Sequence, residues 1–439
     1  MISSIIFVLL LAGAVAFFSW NVKKISRNIN LGKDVEIKDN RKKRWWLVLK
    51  VAIGQSKMFG FPIAAILHIF VYAGFILVNI EMIEIFIDGI AGTHRALSFT
   101  GGFYPVIVGF FEFFALLVIL GCLIFLIRRN ILKTDRFWKP EMKGWPRLDG
   151  NIILITEVVL MSSIFFMNAS DAILQTRGVE HYDKVGSFFF SSALIPLLSN
   201  LPSDTLIFIE RLCWWLHIVG VFLFLNYIPY SKHFHVFLSF VNVFYSKLDP
   251  TGKMANMPSI TKEVKSMLSG EEPPIEEGEE EVAFGAHDVR QLTWKHLMDS
   301  YTCTECGRCT SVCPANITGK KLSPRKLVMD VRDRLELLGK NIDKKGMDYT
   351  DDKSLFDYIT AEEIWACTTC NACTVACPVN IDQVSLILEL RRYIVMEQAA
   401  SPGELNVIFN NIENNGAPWQ FSQDDRMLWA DELYINENA

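Results

Sequence analysis

Strand signals are scarce along this chain, and a strong charge of either sign is missing. Lys and Arg number 43 against 48 Asp and Glu, a net charge of −5. That figure averages a basic first half with an acidic second half and gives no support for nucleic-acid binding. No Lys or Arg precedes the first apolar run, and a dense basic stretch follows it. This is the reverse of a secretory signal. The polar part of the chain lacks a nucleophile paired with an acid or base, so it reads as a subunit rather than a complete enzyme.

The 439 residues suffice for two or three domains. Roughly the first 240 are dominated by long apolar runs. Five of these, at 2–20, 59–87, 103–127, 151–174 and 205–230, reach the roughly 20 residues that cross a bilayer as a helix. Lys and Arg crowd the segments after the first run, from Lys23 to Lys57, and after the third, from Arg128 to Arg147. The alternate loops hold only Arg95, and Arg177 with Lys184. The positive-inside rule therefore puts the N-terminus outside and everything after the fifth run in the cytoplasm. Trp45, Trp46, Trp138 and Trp145 suit that interface as aromatic anchors. A shorter run at 188–198 cannot span and reads as an interfacial or re-entrant piece on the outer side. Pro229 is expected to end or bend the fifth helix, and 233–245 to lie along the cytoplasmic interface. The acidic run 271–281 reads as a flexible linker. Helical periodicity returns at 323–339 and 384–396.

Eight of the ten cysteines form one duplicated motif. Cys303, Cys306, Cys309 and Cys313 precede Pro314, and Cys367, Cys370, Cys373 and Cys377 precede Pro378. Each copy is C-x-x-C-x-x-C-x-x-x-C-P, the bacterial 4Fe-4S run. Three thiolates on one tight turn grip three corners of an iron cube, and the fourth reaches a second cube. The expected ligand sets are therefore crossed: Cys303, Cys306, Cys309 and Cys377 for one cluster, Cys367, Cys370, Cys373 and Cys313 for the other. Structural zinc is the rival occupant. Zinc ribbons pair two C-x-x-C knuckles across a longer gap, and the third cysteine and the Cys-Pro would be superfluous there. Cys122 and Cys213 stand alone in apolar segments and read as small buried hydrophobes.

The fold class expected is all-α: a five-helix transmembrane bundle followed by an α-helical dicluster ferredoxin domain. The boundaries are 1–248 for the membrane domain, 249–286 for an acidic flexible linker, 287–400 for the cluster domain and 401–439 for a partner-docking tail. Within the bundle, His68 falls in the second helix and His217 in the fifth. Each lies about 15–20 Å from the cytoplasmic end of its helix, so they can meet as the two axial ligands of a b-type haem. An ionisable group inside the bilayer is a functional hypothesis by default. His233 and His235 read equally as ligands of a second haem or as a surface pair. Glu81, Glu84, Glu112, Glu157 and Glu210 read as proton carriers or as pairing groups, and Arg211 or Lys232 as partners of haem propionates.

The insertion of around fifty residues between the two motifs resembles the helical ferredoxin domain of succinate dehydrogenase iron–sulfur subunits and heterodisulfide reductase small subunits. The first five helices are similar to the gamma subunit of respiratory nitrate reductases, a cytochrome b with two ligand histidines on its second helix and two on its fifth. His68, His217 and His235 match three of those positions, and Met58 stands at the fourth. The joined arrangement resembles membrane-bound heterodisulfide-reductase-like iron–sulfur oxidoreductases, including those that link electron-transfer flavoprotein to quinone. Gly54-Gln55, Pro62, His68, Gly74-Phe75, the stretch 229–233 and the run Asn415-Gly-Ala-Pro-Trp419 carry that likeness. The resemblance implies an electron relay through two 4Fe-4S clusters, one or two b haems and a quinone, menaquinone by that likeness, in a bacterial cytoplasmic membrane. In that family cysteine-rich CCG domains usually follow. Their lack here implies a separate CCG-type or flavoprotein subunit as partner. The contrasting reading is a haem-free anchor that tethers a ferredoxin domain in a larger complex.

Overall fold

The computed structural model describes residues 2–186, 188–270 and 284–435. Among them no strand occurs, only an isolated bridge between Lys33 and Thr293. The acidic run 271–281 lies outside the described residues.

Among the described residues, five helices are long and apolar enough to cross a membrane. They are α1 (Ile2–Ile29), α2 (Pro62–Ala91), α3 (Tyr104–Leu126), α4 (Trp145–Arg177) and α5 (Ser203–Tyr227). The sequence carries their punctuation. Pro62, Pro105 and Pro146 sit in the first turns of α2, α3 and α4, where a missing N–H costs nothing. Left-handed Gly92 and Gly178 cap α2 and α4. α5 gives way at Ile228 to a 3-10 turn containing Pro229. α1 runs on past its apolar window to Ile29, because Lys and Arg are good helix formers that a hydropathy reading discards. α2 packs along α3, α4 along α3 and α5, and α1 against α2 and α5. Phe7 of α1 is fully buried among Phe86, Trp214 and Phe222. Ile5, Leu9, Leu123 and Ile155 point outward and are exposed, as a lipid-facing surface requires.

The run at 188–198 is short turns, Ser191–Leu194 and Ile195–Leu198, packed into one end of the bundle. Phe188 is buried there beside Tyr104 and Val108. At the opposite end lies α6 (His235–Phe244), then the cysteine region with α7 (Trp294–Thr302) and α8 (Pro324–Lys345). Thr293 and Ser323 cap these two helices by accepting from His296 N and Lys326 N. Leu327, Val331, Leu335, Leu338 and Ile342 form the buried stripe of α8.

The cysteine region is not tethered loosely. Residues 1–255 and 288–385 form one compact unit. Lys33 N donates to Leu292 O at 2.8 Å, and Trp294 N returns a bond to Lys33 O at 3.0 Å. Gly32 is required beside this bridge, because a Cβ there would lie 2.7 Å from Trp294 N and 2.8 Å from Leu292 O. Asn28 bonds Tyr301 OH at 2.9 Å, and Lys24 and Arg27 pair with Asp343. Arg325 is fully buried; its guanidinium meets Glu141 at 2.7 Å and Arg136 O at 2.6 Å. Arg325→Met is expected to cost roughly 3 kcal/mol, since it leaves the half-buried Glu141 carboxylate with the Ser323 hydroxyl but no cation. Thermal unfolding in detergent, compared with the Glu141→Gln/Arg325→Met double variant, reads this; an unchanged midpoint would contradict it. Burial opposes the charge of Glu141, but Arg325 prevails and holds its carboxyl below the ordinary 4.5. A depressed folded value means that the joint's contribution is complete above pH 4.5 and is lost as pH falls through the lower folded value. Unfolding midpoints measured from about pH 7 to about pH 3 should therefore decline less in Glu141→Gln than in the parent.

Residues 256–287 and 386–439 form a second unit. It contains the helices Pro258–Ser269, Gly403–Asn415 and Leu428–Ile435. Ala286 N donates to Glu389 O at 3.0 Å, and Asn411 to Pro418 O at 3.1 Å. The compact units thus divide the chain differently from the sequence boundaries. The flanks of the expected linker gather with the C-terminal residues, and the cysteine region is built into the bundle's unit by the bonds just described.

Candidate functional site

Each cysteine motif is a loop between helices, and the two loops share one backbone course. Glu305 and Gly307 take positive φ of 52° and 72°; Thr369 and Asn371 take 56° and 61°. These are the residues on either side of the second cysteine in each motif. Glu305 and the β-branched Thr369 hold a conformation that such residues avoid, which is strain stored at a site. Gly307 is the permissive residue among them, and a Cβ there would lie 2.4 Å from the Arg325 guanidinium. Left-handed residues placed this way help to turn backbone N–H groups toward an anionic ligand. Thr369 N lies 3.4 Å from Cys367 Sγ, and Ile381 N lies 3.3 Å from Cys377 Sγ.

The fourth cysteine of the second motif leaves its own loop. Cys377 joins Cys303, Cys306 and Cys309 around a small void of about 20 Å³. Cys313 does not line that void; its thiol acts on Cys373. Burial pushes Cys373 up to about 12, with Cys367 and Cys313 adding to the rise. Burial likewise pushes Cys303 up to about 12, and pushes Cys377, with Cys306 adding, up to about 11. Four thiolates this close repel one another and need a positive core between them. Among the described residues no three His, Cys, Asp or Glu side chains converge closely enough for a single metal ion. Four soft thiol donors around one void are the ligand chemistry of a 4Fe-4S cluster.

A second cavity, of about 360 Å³, lies between this loop and the bundle. His68, His233 and His235 line it together with Met58, Glu157, Cys306 and Arg308. His235 Nδ1 is held by Lys232 O at 2.9 Å, which leaves Nε2 for a ligand. His68 Nδ1 and His233 Nε2 are buried with no hydrogen-bond partner among the described residues. Burial lowers the His233 imidazole to about 3, with His235 and His68 adding, and burial lowers His235 as well. These rings are neutral donors, the form a metal binds. Unsatisfied imidazoles around a largely apolar cavity, with Arg128, Arg129 and Arg136 on its wall, are a donor set that fits a haem and its carboxylates.

The histidines do not group as their depths in sequence suggest. His217 does not line this cavity. Its Nδ1 lies 3.0 Å from Leu160 O and 3.3 Å from Ser163 Oγ, in the seam between α4 and α5. His68 is six residues into α2 from Pro62 and His217 is ten from Tyr227, about 9 Å and 15 Å deep. The structure brings His68 to His233 and His235 instead. The cations also differ from expectation. Arg211 pairs with Glu210. Lys232 reaches the cavity, but its ammonium is engaged by Glu305 and lies 3.6 Å from Asp149. Glu112 anchors the 188–198 run by accepting from Phe190 N at 2.9 Å and from Ser191. Glu84 accepts from Tyr104 and Leu97 N. Glu157 is the bundle carboxylate that lines the cavity. Sequence reasoning misses Arg136, Arg308 and Glu305. Arg136 reads there only as a topology-setting charge, and the other two lie between cysteines whose own signal is far stronger.

The family model for a 4Fe-4S dicluster domain matches residues 302–381. The chain carries a 4Fe-4S dicluster domain. Over almost its whole length it is related to iron–sulfur oxidoreductases. It is 28% identical to "Probable iron-sulfur-binding oxidoreductase FadF" of Bacillus subtilis, across 98% of this chain and 61% of that protein. It is 27% identical to "EtfAB:quinone oxidoreductase" of Syntrophomonas wolfei, across 99% of this chain and 60% of that protein. Over 34% of its length it is 31% identical to "Probable membrane-anchored ferredoxin" of Chromohalobacter salexigens, covering 24% of that protein. Shorter matches reach heterodisulfide reductase subunits of Methanosarcina mazei and Methanosarcina acetivorans. The chain thus spans about three-fifths of the length of the first two relatives. No solved structure matches it. The two loops and the four cysteines around the void fall within the dicluster domain.

Proposed function

We propose that this chain is a membrane-bound electron-transfer subunit. It relays electrons between a soluble redox partner, two 4Fe-4S clusters, haem b and menaquinone. The observation that carries the reading is the shared wall: Cys306 and Arg308 of the first motif line the same cavity as His68, His233 and His235. When bound, the clusters and the haem supply one-electron carriers that bridge the two-electron chemistry of quinone.

The chain's own residues hold and tune these groups. The eight motif cysteines act as thiolate ligands in crossed sets, and the inward N–H groups at Thr369 and Ile381 offset sulfur charge. His68 with His235 or His233 provides axial nitrogens in the cavity. His217, its Nδ1 turned to Leu160 O, presents Nε2 at a second station. Arg128, Arg129 and Arg136 receive haem carboxylates, and Glu157 holds a proton at the cavity wall. The basic ends of α1 and α3 lie beside the cysteine region, and exposed Trp45, Trp46, Trp138 and Trp145 are on the same side. That distribution supports a cytoplasmic dicluster domain in a bacterial inner membrane with the N-terminus outside. Trp419, Phe421 and Trp429 are exposed in the second unit, which suits a docking tail for a CCG-type or flavoprotein subunit.

The test is an optical spectrum of the full chain, purified anaerobically in detergent and reduced with dithionite. A sharp b-type alpha band that a soluble menaquinone analogue bleaches is expected. A protein with clusters but no such band would leave the anchoring role in place of the relay.

A further inference from the structure

The two sets of cysteines are not equivalent in their surroundings. Cys306, Thr304 and Arg308 of the first loop, with Pro378 and Val379 after Cys377, form part of the membrane-side cavity wall. This loop is also bonded to the bundle. Arg308 donates to Met58 O at 3.2 Å and Lys57 O at 3.3 Å. Glu305, between Cys303 and Cys306, takes the ammonium of Lys232, the residue before His233. On its other side Glu305 pairs with Arg332 at 2.8 Å. From Cys306 to His233 the connection is therefore covalent except for one charge-assisted hydrogen bond. The second loop also meets this segment, where Lys57 Nζ donates to Thr374 O at 3.3 Å, but its cysteines are placed otherwise. Cys367 is half-buried, Cys370 is exposed, and Val375 on the same loop is 57% exposed. Neither Cys367 nor Cys370 lines the cavity.

We propose that the two thiol sets have a fixed order. The set Cys303, Cys306, Cys309 and Cys377 is the membrane-side terminus, coupled to the histidine cavity through Glu305 and Lys232. The set Cys367, Cys370, Cys373 and Cys313 is the solvent-side terminus, and its edge at Cys370 is where a soluble one-electron carrier exchanges with the protein. The inference rests on the relay reading and adds direction in space to it. It also makes Glu305 and Lys232 positioning residues for the inner set rather than ligands.

The order is tested by relaxation of paramagnetic signals in the full chain, reduced anaerobically in detergent. Cys306→Ser and Cys370→Ser assign the two cluster signals; a variant that loses its cluster still identifies the survivor. A soluble dysprosium chelate is then added to the parent protein. It should raise the microwave power needed to saturate the second-motif signal several-fold and leave the first-motif signal nearly unchanged. Equal relaxation of both signals, or stronger relaxation of the first-motif signal, overturns the order. A redox titration gives the second readout. Lys232→Met should shift the midpoint of the first-motif signal alone, and a shift confined to the second-motif signal overturns the coupling. Failure of the relay reading looks different: clusters would be present with this accessibility, and the haem band absent.

Discussion

Cys377→Ser is expected to remove the paramagnetic signal assigned to the first motif, although Cys377 belongs to the second in sequence. Non-haem iron should fall from about eight to about four atoms per chain, and labile sulfide with it. Cys377 shares a void with Cys303, Cys306 and Cys309, where a serine hydroxyl cannot replace the soft thiolate. Cys313→Ser is the reciprocal variant and should spare the first-motif signal while removing the other. If each serine variant instead lost the signal of its own motif, the crossed sets would be wrong. The loss also bears on folding. Burial, with repulsion between the sulfurs, drives the Cys303, Cys309 and Cys377 thiols above their ordinary pKa, so the cluster is what makes this packing favourable. The apo form of a Cys313→Ser/Cys377→Ser double variant is therefore expected to be open to proteolysis within 302–381.

The second large effect concerns His68. His68→Ala should abolish the cavity's haem, seen as loss of most of the dithionite-reduced alpha band with both cluster signals retained. His68 is the ring that α2 supplies to the cavity, and its Nδ1 has no hydrogen-bond partner among the described residues. His233 and His235 lie close together on a single turn, so one can substitute in part for the other. His235→Ala is accordingly expected to be milder than His68→Ala. An unchanged band in His68→Ala would show that the haem, if bound, is held elsewhere, with the His217 station the next place to examine. Retention of the cluster signals is the control that separates haem loss from unfolding, since the two sites share the wall at Cys306 and Arg308.

Much of this arrangement is legible because it is written in local sequence. Five apolar runs of bilayer length become five helices, with prolines and glycines near the expected ends. The duplicated cysteine spacing points to the dicluster domain without any knowledge of the fold. The helix expected near 323–339 is present at Pro324–Lys345 with its apolar stripe inward. What periodicity does not encode is which distant side chains meet. His68 and His217 have similar depth by window arithmetic, but α2 begins at Pro62 rather than at the start of the apolar window, and a short turn brings His233 and His235 under the bundle. The basic segments read in sequence as topology signals alone. In the fold several of those cations also hold the dicluster domain to the bundle: Arg27 with Asp343, and the backbone of Arg136 with Arg325. Lys232 shows the same limit. Its charge suggests a propionate partner, and its actual partner, Glu305, lies 73 residues further on, in a loop whose course only the folded chain reveals.

Metal and sulfide analysis of the full chain, purified without oxygen, tests the central claim most directly. Two cubanes held by eight thiolates require about eight non-haem iron and about eight labile sulfide per chain, with zinc at trace level. One or two equivalents of zinc with no labile sulfide would contradict it.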